Sequence, residues 1–269
     1  MIVRWKLCRI MTLNKARKFL LYFKVVLEAL NKSIFLGAGF IDNVNDLSNE
    51  SSSLPLMLPE KEKFIKMMRQ YGISDNSQIV LYSTTESNWA TRVWWMLRVF
   101  GFNNAAILNG GWSKWKAEGR STSIEECAYA PGEFNSRLRS GLVVSKDEVL
   151  TAIGRDDIRI ICALPTPMYT GVSDMAFGRK GRIADSVNVP FLDLHDSETG
   201  CYLPVEQLHK RFDEVDANTA DNIIAYCGAG VAASNSAFVL TLLGYKNVAV
   251  YDGSMIEWGN DASLPMEME

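Results

Sequence analysis

The sequence is poor in the residues from which metal sites and disulfide frameworks are built. It has two histidines and five cysteines in 269 residues, and nowhere do two cysteines form a C-x-x-C pair. The cysteines are odd in number and widely scattered: Cys8, Cys127, Cys162, Cys201 and Cys227. Zinc clusters and disulfide frameworks need cysteines at closer or paired spacings. We therefore expect no metal, no cofactor, and free thiols in a reducing compartment.

Long apolar runs, an excess of basic charge and nucleotide-binding motifs are also lacking. No run approaches the roughly 18 apolar residues that a membrane span needs. A net charge of -3 gives no basic face for nucleic acid, and no Walker or dinucleotide fingerprint is present. Neither a membrane nor a nucleic acid is expected as a partner. With 48% hydrophobic residues, the chain is expected to be globular, with one large domain or two medium ones.

The N-terminal 33 residues differ from the rest in charge. They contain a single acid, Glu28, and these basic residues: Arg4, Lys6, Arg9, Lys15, Arg17, Lys18, Lys24 and Lys32. This basic arm resembles an organelle transit peptide, but its apolar stretch from Phe19 to Leu30 would equally suit packing onto the domain behind it. We expect a cytoplasmic protein, with a mitochondrial location as the alternative.

Two long passages of the chain match each other at an offset of about 143 to 145 residues. Each reads as an apolar strand, a loop, a helix, a second strand and a turn. The first copy runs through Ile79–Tyr82, Trp89–Phe100, Ala105–Leu108 and Asn109–Trp115. The second runs through Ile223–Tyr226, Ala233–Leu243, Val248–Tyr251 and Asp252–Trp258. The pattern predicts an α/β fold in two tandem domains, each a parallel sheet flanked by helices.

The repeat also suggests domain boundaries. We expect the basic arm at 1–33, a first domain at 34–120, a linker rich in turn residues at 121–139, and a second domain at 140–269. The second domain opens with a capping box, Ser145–Glu148, and a strand, Ile158–Cys162. The same offset places the counterpart of this strand near Asn14–Lys18, which has no strand pattern. The first copy is therefore expected to lack its opening elements.

One loop of the second copy has the residues for nucleophilic chemistry. Cys227 follows a strand and precedes the small residues Gly228 to Ala232, after which a helix begins. Open α/β sheets bind ligands at this end of their strands. Inward-facing N–H groups and the positive end of the helix would form an anion cradle that favours a thiolate. The alternative is that Cys227 is a buried apolar residue in a tight turn.

These segments resemble the two-domain rhodanese and 3-mercaptopyruvate sulfurtransferase family. Tyr226–Ala233 resembles the active loop, Arg92–Arg98 the helix of the first domain, and Asn109–Gly119 and Tyr251–Trp258 the closing segments of the two domains. The resemblance covers about residues 34 to 267. It implies two tandem rhodanese-like domains.

The resemblance also implies a reaction. Cys227 would take the outer sulfur of 3-mercaptopyruvate or thiosulfate as a persulfide and pass it to a thiol or to cyanide. The persulfide would be bound by loop N–H groups of Gly228, Ala229, Gly230, Val231 and Ala232. Ser83 stands at the matching place in the first copy, which implies a non-catalytic domain.

The sequence departs from the family where the donor would bind. Family members carry arginines at the positions of Leu164 and Met168, and thiosulfate-preferring members carry basic side chains at the positions of Gly228 and Ala229. Arg179, Lys180 and Arg182 would be substitutes for these anion binders, or else a solvated basic loop. The alternative to an active enzyme is a catalytically weakened rhodanese-fold binding module.

Overall fold

The computed structural model describes residues 10–11, 20–23, 38–84, 87–123, 129–174 and 177–268. The chain forms two compact units. The first contains the described residues of Met1–Glu50, Leu58–Arg139 and Ser197–Cys201. The second contains those of Ser51–Met57, Ser140–Asp196 and Tyr202–Glu269.

Strands and helices alternate in the first unit. Its elements in chain order are β1 (Ile10–Met11), β2 (Leu20–Phe23), β3 (Ala38–Ile41), α1 (Lys61–Gln70), β4 (Ile79–Ser83), α2 (Asn88–Val99), β5 (Ala105–Leu108) and α3 (Gly111–Ala117).

The second unit repeats this alternation with additions. Its elements are β6 (Val143–Val144), α4 (Lys146–Ala152), β7 (Ile158–Cys162), α5 (Thr166–Tyr169), β8 (Arg182–Ile183), β9 (Val187–Asn188), a 3₁₀ helix (Phe191–Leu194), α6 (Val205–Asp213), β10 (Asn222–Tyr226), α7 (Val231–Leu243), β11 (Val248–Tyr251), α8 (Ser254–Trp258) and β12 (Met266–Glu267). β8 and β12 form a small antiparallel pair.

The main sheets of the two units have the same strand order. It is β1-β5-β4-β2-β3 in the first and β6-β11-β10-β7-β9 in the second. Every neighbouring pair within these two sheets is parallel. The correspondence, strand by strand, confirms the predicted duplication and the predicted α/β class with parallel sheets.

Two strands of the first sheet precede residue 34. β2 lies between β4 and β3 as β7 lies between β10 and β9, and β1 pairs with β5 as β6 pairs with β11. This differs from the expectation that the first copy lacks its opening elements. β2 falls inside the apolar stretch from Phe19 to Leu30, where a run of four apolar residues without alternation cannot be told from part of a buried helix. The segment Asn14–Lys18 lies outside the described residues.

The segment predicted as a linker is in contact with the first unit over residues 129–139. Phe134 is 1% exposed, and its ring meets that of Phe64 edge-on, with the centroids 5.9 Å apart. The N–H groups of Arg137 and Arg139 donate to the carbonyls of Phe100 and Val99 at 3.1 and 2.9 Å. This part of the segment therefore belongs to the core of the first unit.

The helix of the second copy that follows the Cys227 loop is buried on all sides. In α7 every residue is buried except Thr241 and Leu243, and the helix packs on β10 and β11. By contrast, α6 buries one face, with Leu208 and Phe212. α7 therefore lies in the interior of the second unit although it contains Ser234, Asn235 and Ser236, and the Cys227 loop leads into its buried amino end. Among the described residues, no helix combines the length and the apolar character that a membrane span requires.

The predicted capping box at the start of α4 is confirmed. Ser145 Oγ accepts a hydrogen bond from the Glu148 N–H at 3.3 Å, and Glu148 Oε2 accepts one from the Ser145 N–H at 2.8 Å. Both bonds satisfy N–H groups that the first turn of a helix leaves without partners.

Replacing Ser145 by alanine is expected to destabilise the second unit by about 1 kcal/mol, because one of the two capping bonds is lost. For a unit of this size that corresponds to a fall of about 3–6 °C in the midpoint of thermal unfolding. The matched control is Ser140→Ala, since Ser140 is exposed and does not cap a helix. Equal midpoints for the two variants would contradict the capping assignment.

Candidate functional site

The Cys227 loop lies at the carboxyl end of the second sheet. β10 ends at Tyr226, and α7 begins at Val231, with Gly230 in the left-handed conformation (φ 74°) immediately before it. Cys227 is 2% exposed and is a free cysteine. The structure thus brings the thiol to the amino end of a buried helix, at the sheet edge where the sequence predicted it.

Ser254, the first residue of α8, fixes the backbone of this loop. Its Oγ accepts hydrogen bonds from the N–H groups of Cys227 and Gly230 at 3.0 and 3.2 Å, and its hydroxyl donates to the Tyr251 carbonyl at 2.8 Å. A serine hydroxyl has one donor and two acceptor positions, so all three are used. Ser254 is fully buried.

The backbone at Ser254 is strained, with a φ of 46°. Outside glycine, the left-handed region costs on the order of 1 kcal/mol or more. At the matching position of the first copy stands Gly111, whose φ is 51° and for which the conformation carries no such cost. The second copy therefore has a serine where the backbone favours glycine, and the hydroxyl is the group that glycine would lack.

The loop carbonyls and N–H groups point in different directions. The carbonyls of Cys227 and Gly228 accept from the N–H groups of Met255 and Ile256 at 3.0 and 2.9 Å, so they face α8. The N–H groups that do not contact α8 belong to Gly228, Ala229, Val231 and Ala232. Within the part of the chain that the structure describes, none of these four donates a hydrogen bond. They form the unpaired set that a bound anion would require.

Gly230 departs from the sequence prediction. Its N–H was expected among the groups that bind the sulfur, but it donates to Ser254 instead. The Ser254 hydroxyl, at the start of α8, takes this N–H as a hydrogen-bond donor. Only four of the five predicted donors remain unpaired.

A second segment lies beside the loop through the pairing of β7 with β10. The Ala163 N–H donates to the Tyr226 carbonyl at 2.8 Å. Asn188 then holds the segment in place, because its Nδ2 donates to the carbonyls of Cys162 and Leu164 at 3.0 and 2.8 Å. Leu164 is buried and Met168 is half-buried. These two positions supply no positive charge.

The three basic side chains considered as substitute anion binders have partners within the protein. Arg179 donates to the carbonyls of Trp258, Gly259, Asp261 and Leu264 at 2.5 to 3.3 Å. Lys180 pairs with Asp174 at 2.6 Å. Arg182 pairs with Glu267 at 3.3 Å and lies over the Tyr169 ring, 4.7 Å from its centroid. Arg179 is therefore a structural clamp on the segment after α8.

The neighbouring thiol of Cys162 is not suited to nucleophilic attack. It is buried on β7, opposite Tyr226. Burial raises the pKa of Cys162 to about 12, and the hydrogen bonds of its thiol with the Leu164 backbone and the Tyr226 hydroxyl only partly oppose this. At neutral pH Cys162 remains a neutral thiol, and the thiolate is the reactive form of cysteine.

Sequence reasoning missed two residues that shape the loop. Ser254 was visible only as part of a matching segment, although its alignment with Gly111 marks a position that favours glycine. Asn188 lies in β9, and the sequence gave no signal that its side chain bonds to backbone carbonyls. Among the described residues, no group of three or more histidine, cysteine or acidic side chains is arranged to hold a metal ion.

Comparison with known proteins places these features in a family. The family model for the rhodanese-like domain matches residues 28–118 and 145–261. The chain is 34% identical to the 3-mercaptopyruvate sulfurtransferase of Escherichia coli (strain K12) over 245 residues, which are 90% of this chain and 86% of that protein. It is 30% identical to the thiosulfate sulfurtransferase of Gallus gallus over 224 residues, 82% of this chain and 77% of that protein.

A solved structure agrees with this relationship. The crystal structure of SseA from Escherichia coli, a 3-mercaptopyruvate sulfotransferase, superposes with a TM-score of 0.78 at 26% identity, covering 92% of this chain and 98% of that one. The predicted tandem fold and family resemblance are confirmed. The chain belongs to the rhodanese family, with two rhodanese-like domains in tandem.

Proposed function

We propose that the chain is a sulfurtransferase that moves sulfane sulfur from 3-mercaptopyruvate or thiosulfate to a thiol or to cyanide, through a persulfide on Cys227. The observation that carries the proposal is the loop geometry. A buried cysteine stands at the amino end of α7, followed by N–H groups of Gly228, Ala229, Val231 and Ala232 that are unpaired among the described residues. Relatives named for both donors support the reaction class.

The first half-reaction transfers sulfur to the enzyme. The Cys227 thiolate attacks the outer sulfur of the donor, and a new S–S bond forms on Cys227. With thiosulfate, the donor's S–S bond breaks and sulfite leaves with the electron pair. With 3-mercaptopyruvate, the C–S bond breaks, and the carbon that keeps the electron pair takes up a proton to give pyruvate.

The second half-reaction restores the enzyme. The acceptor, a thiolate or cyanide, attacks the terminal sulfur of the persulfide, and Cys227 leaves as a thiolate. Negative charge therefore remains on the Cys227 sulfur atoms throughout the cycle. The four unpaired N–H groups and the positive end of α7 stabilise this charge without a basic side chain.

Fewer groups of the protein are available to bind the negative charge of the donor molecule itself. The positions at which family members carry arginines are Leu164 and Met168, and the nearby Arg179 binds backbone carbonyls. A lost charge-assisted hydrogen bond costs about 1.5–3 kcal/mol. We therefore expect weak saturation by the donor, with a KM above that of relatives that retain the arginines.

The first unit is proposed to be non-catalytic. Its counterpart of Cys227 is Ser83, at the end of β4, and a hydroxyl has no sulfur to carry.

Intact mass spectrometry tests the proposal. The purified chain, incubated with 3-mercaptopyruvate or thiosulfate and freed of excess donor, is expected to gain about 32 Da, the mass of one sulfur atom in a persulfide. Subsequent cyanide is expected to remove this mass and yield thiocyanate. The absence of a gain with both donors would contradict the proposal and would favour a weakened rhodanese-fold binding module.

A further inference from the structure

We infer that Phe177 is a specificity-determining residue, which fills the space beside Gly228 with an apolar ring and so favours a singly charged thiol donor over the thiosulfate dianion. The inference rests on the proposed function, because it concerns the donor of the same Cys227 loop. It adds a residue outside the loop that no matching motif indicated.

The ring of Phe177 lies directly against the residue after the nucleophile. A Cβ atom placed on Gly228 would lie closer than van der Waals contact to Phe177 Cζ, Cε2 and Cε1. These three nearest atoms all belong to one ring edge. Gly228 itself is not among the glycines with a positive φ. Its backbone would accept any residue, so a side chain at this position would have to displace the Phe177 ring.

The backbone of Phe177 and of the two residues after it is held in place by the segment that follows α8. The Asn260 side chain donates to the Phe177 carbonyl at 3.3 Å. Gly178, with a φ of 110°, packs so closely on Gly259 that a Cβ would lie 2.6 Å from its carbonyl carbon. The Arg179 N–H donates to the Gly259 carbonyl at 3.0 Å, next to the clamp that its guanidinium forms. Phe177 is therefore anchored on both its own carbonyl and its following residues.

The apolar ring beside Gly228 affects which donor charge the site can accept. A side chain at position 228 would stand next to Cys227, where a cation would neutralise a dianionic donor. The Phe177 ring occupies the space that such a side chain would need and presents a hydrocarbon edge there. Placing a dianion beside an apolar ring without a compensating charge is costly. A 2-oxo acid that carries one carboxylate and a thiol, as 3-mercaptopyruvate does, brings less charge to this face.

A set of variants tests donor selection. We expect the ratio of kcat/KM for thiosulfate to kcat/KM for 3-mercaptopyruvate to rise at least tenfold in the double variant Phe177→Ala with Gly228→Arg. In Gly228→Arg alone the ring still occupies the space, so both rates fall and the ratio does not rise. The matched control, Phe177→Ala with Gly228→Leu, has a side chain without charge and is expected to leave the ratio near that of the unchanged chain.

A second measurement tests the contact without relying on activity. Gly228→Ala is expected to lower the midpoint of thermal unfolding in the unchanged chain by several degrees and to have little effect in the Phe177→Ala background. Equal falls in the unfolding midpoint in both backgrounds would contradict the inference that the Phe177 ring limits the side chain at position 228.

The outcomes separate the inference from the function on which it rests. Suppose that the unchanged chain forms a persulfide. Donor selection by Phe177 is then overturned, and the sulfurtransferase proposal stands, in either of two cases. In the first, the double variant has the same ratio of the two kcat/KM values as the unchanged chain; in the second, Gly228→Arg alone raises that ratio as much as the double variant does. If the unchanged chain takes sulfur from neither donor, both proposals are overturned.

Discussion

The Cys227→Ser variant is expected to take up no sulfur from 3-mercaptopyruvate or thiosulfate, while Cys201→Ser takes up as much as the unchanged chain. An oxygen at position 227 leaves the loop and its N–H groups in place but cannot carry sulfane sulfur. The substitution suits the fold, because the first copy has Ser83 at the matching position, 3% exposed at the end of its strand. The loss of uptake would therefore reflect chemistry and not unfolding.

The control separates the loop from general thiol reactivity. Cys201 is half-buried, whereas Cys227 is 2% exposed. Accessibility alone would thus direct sulfur to Cys201, and loop chemistry directs it to Cys227. Mass spectrometry of the digested protein locates the added sulfur, and equal thermal unfolding midpoints of the two variants confirm that both are folded. A persulfide on Cys201, or a mass gain in Cys227→Ser equal to that of the unchanged chain, would refute the assignment.

The architecture was predictable because the domain is duplicated, so that the sequence contains the pattern of each strand and helix twice. Each apolar strand and its helix occurs twice, so Ile223–Tyr226 and Ile79–Tyr82 support each other as sheet strands even where a single run of four residues is ambiguous. The position of Cys227 follows from the same pattern. A residue that closes a parallel strand ahead of a glycine loop and a helix must lie at the carboxyl edge of the sheet.

The details of the loop were not predictable, because they depend on backbone torsions and on contacts between distant segments. The sequence shows a glycine at 230 but neither its left-handed φ nor the hydrogen bond of its N–H to Ser254. It shows a basic cluster from Arg179 to Arg182, yet the four carbonyls that bind Arg179 lie about 80 residues away along the chain. The strand β2 was obscured because its apolar residues stand among lysines and arginines.

The two segments that shape the loop approach it from opposite ends of the second copy. Residues 177–179 precede the loop by about fifty positions, and α8 follows it. Arg179 joins them, since its guanidinium binds carbonyls of the segment directly after α8. Ser254 and Phe177 thus both lie in segments that Arg179 connects. Ser254 fixes the backbone of the Cys227 loop, and Phe177 occupies the space beside Gly228.

The Ser254→Gly variant is expected to lower kcat for sulfur transfer about 10- to 100-fold, with a smaller loss of thermal stability than Ser254→Ala. The hydroxyl accepts from the N–H groups of Cys227 and Gly230, and its removal leaves two buried donors without a partner. The loop N–H groups are then held less firmly in the arrangement that stabilises the charge on sulfur, and a loss of about 1.4–2.8 kcal/mol of that stabilisation in the transition state is a 10- to 100-fold change in rate. Glycine adopts the φ of 46° without strain, as Gly111 does in the first copy, and this offsets part of the lost bonding.

Ser254 is a positioning residue, because its hydroxyl holds the loop backbone around Cys227 and does not contact the sulfur that is transferred. Its variants distinguish this role from a purely structural one. Ser254→Ala loses the hydroxyl and retains the strain, so it should show the same fall in kcat together with a lower unfolding midpoint. The single-turnover rate of persulfide formation should fall in both variants, while the donor KM changes little. A Ser254→Gly variant that forms the persulfide within twofold of the normal rate would show that the loop holds its geometry without this hydroxyl.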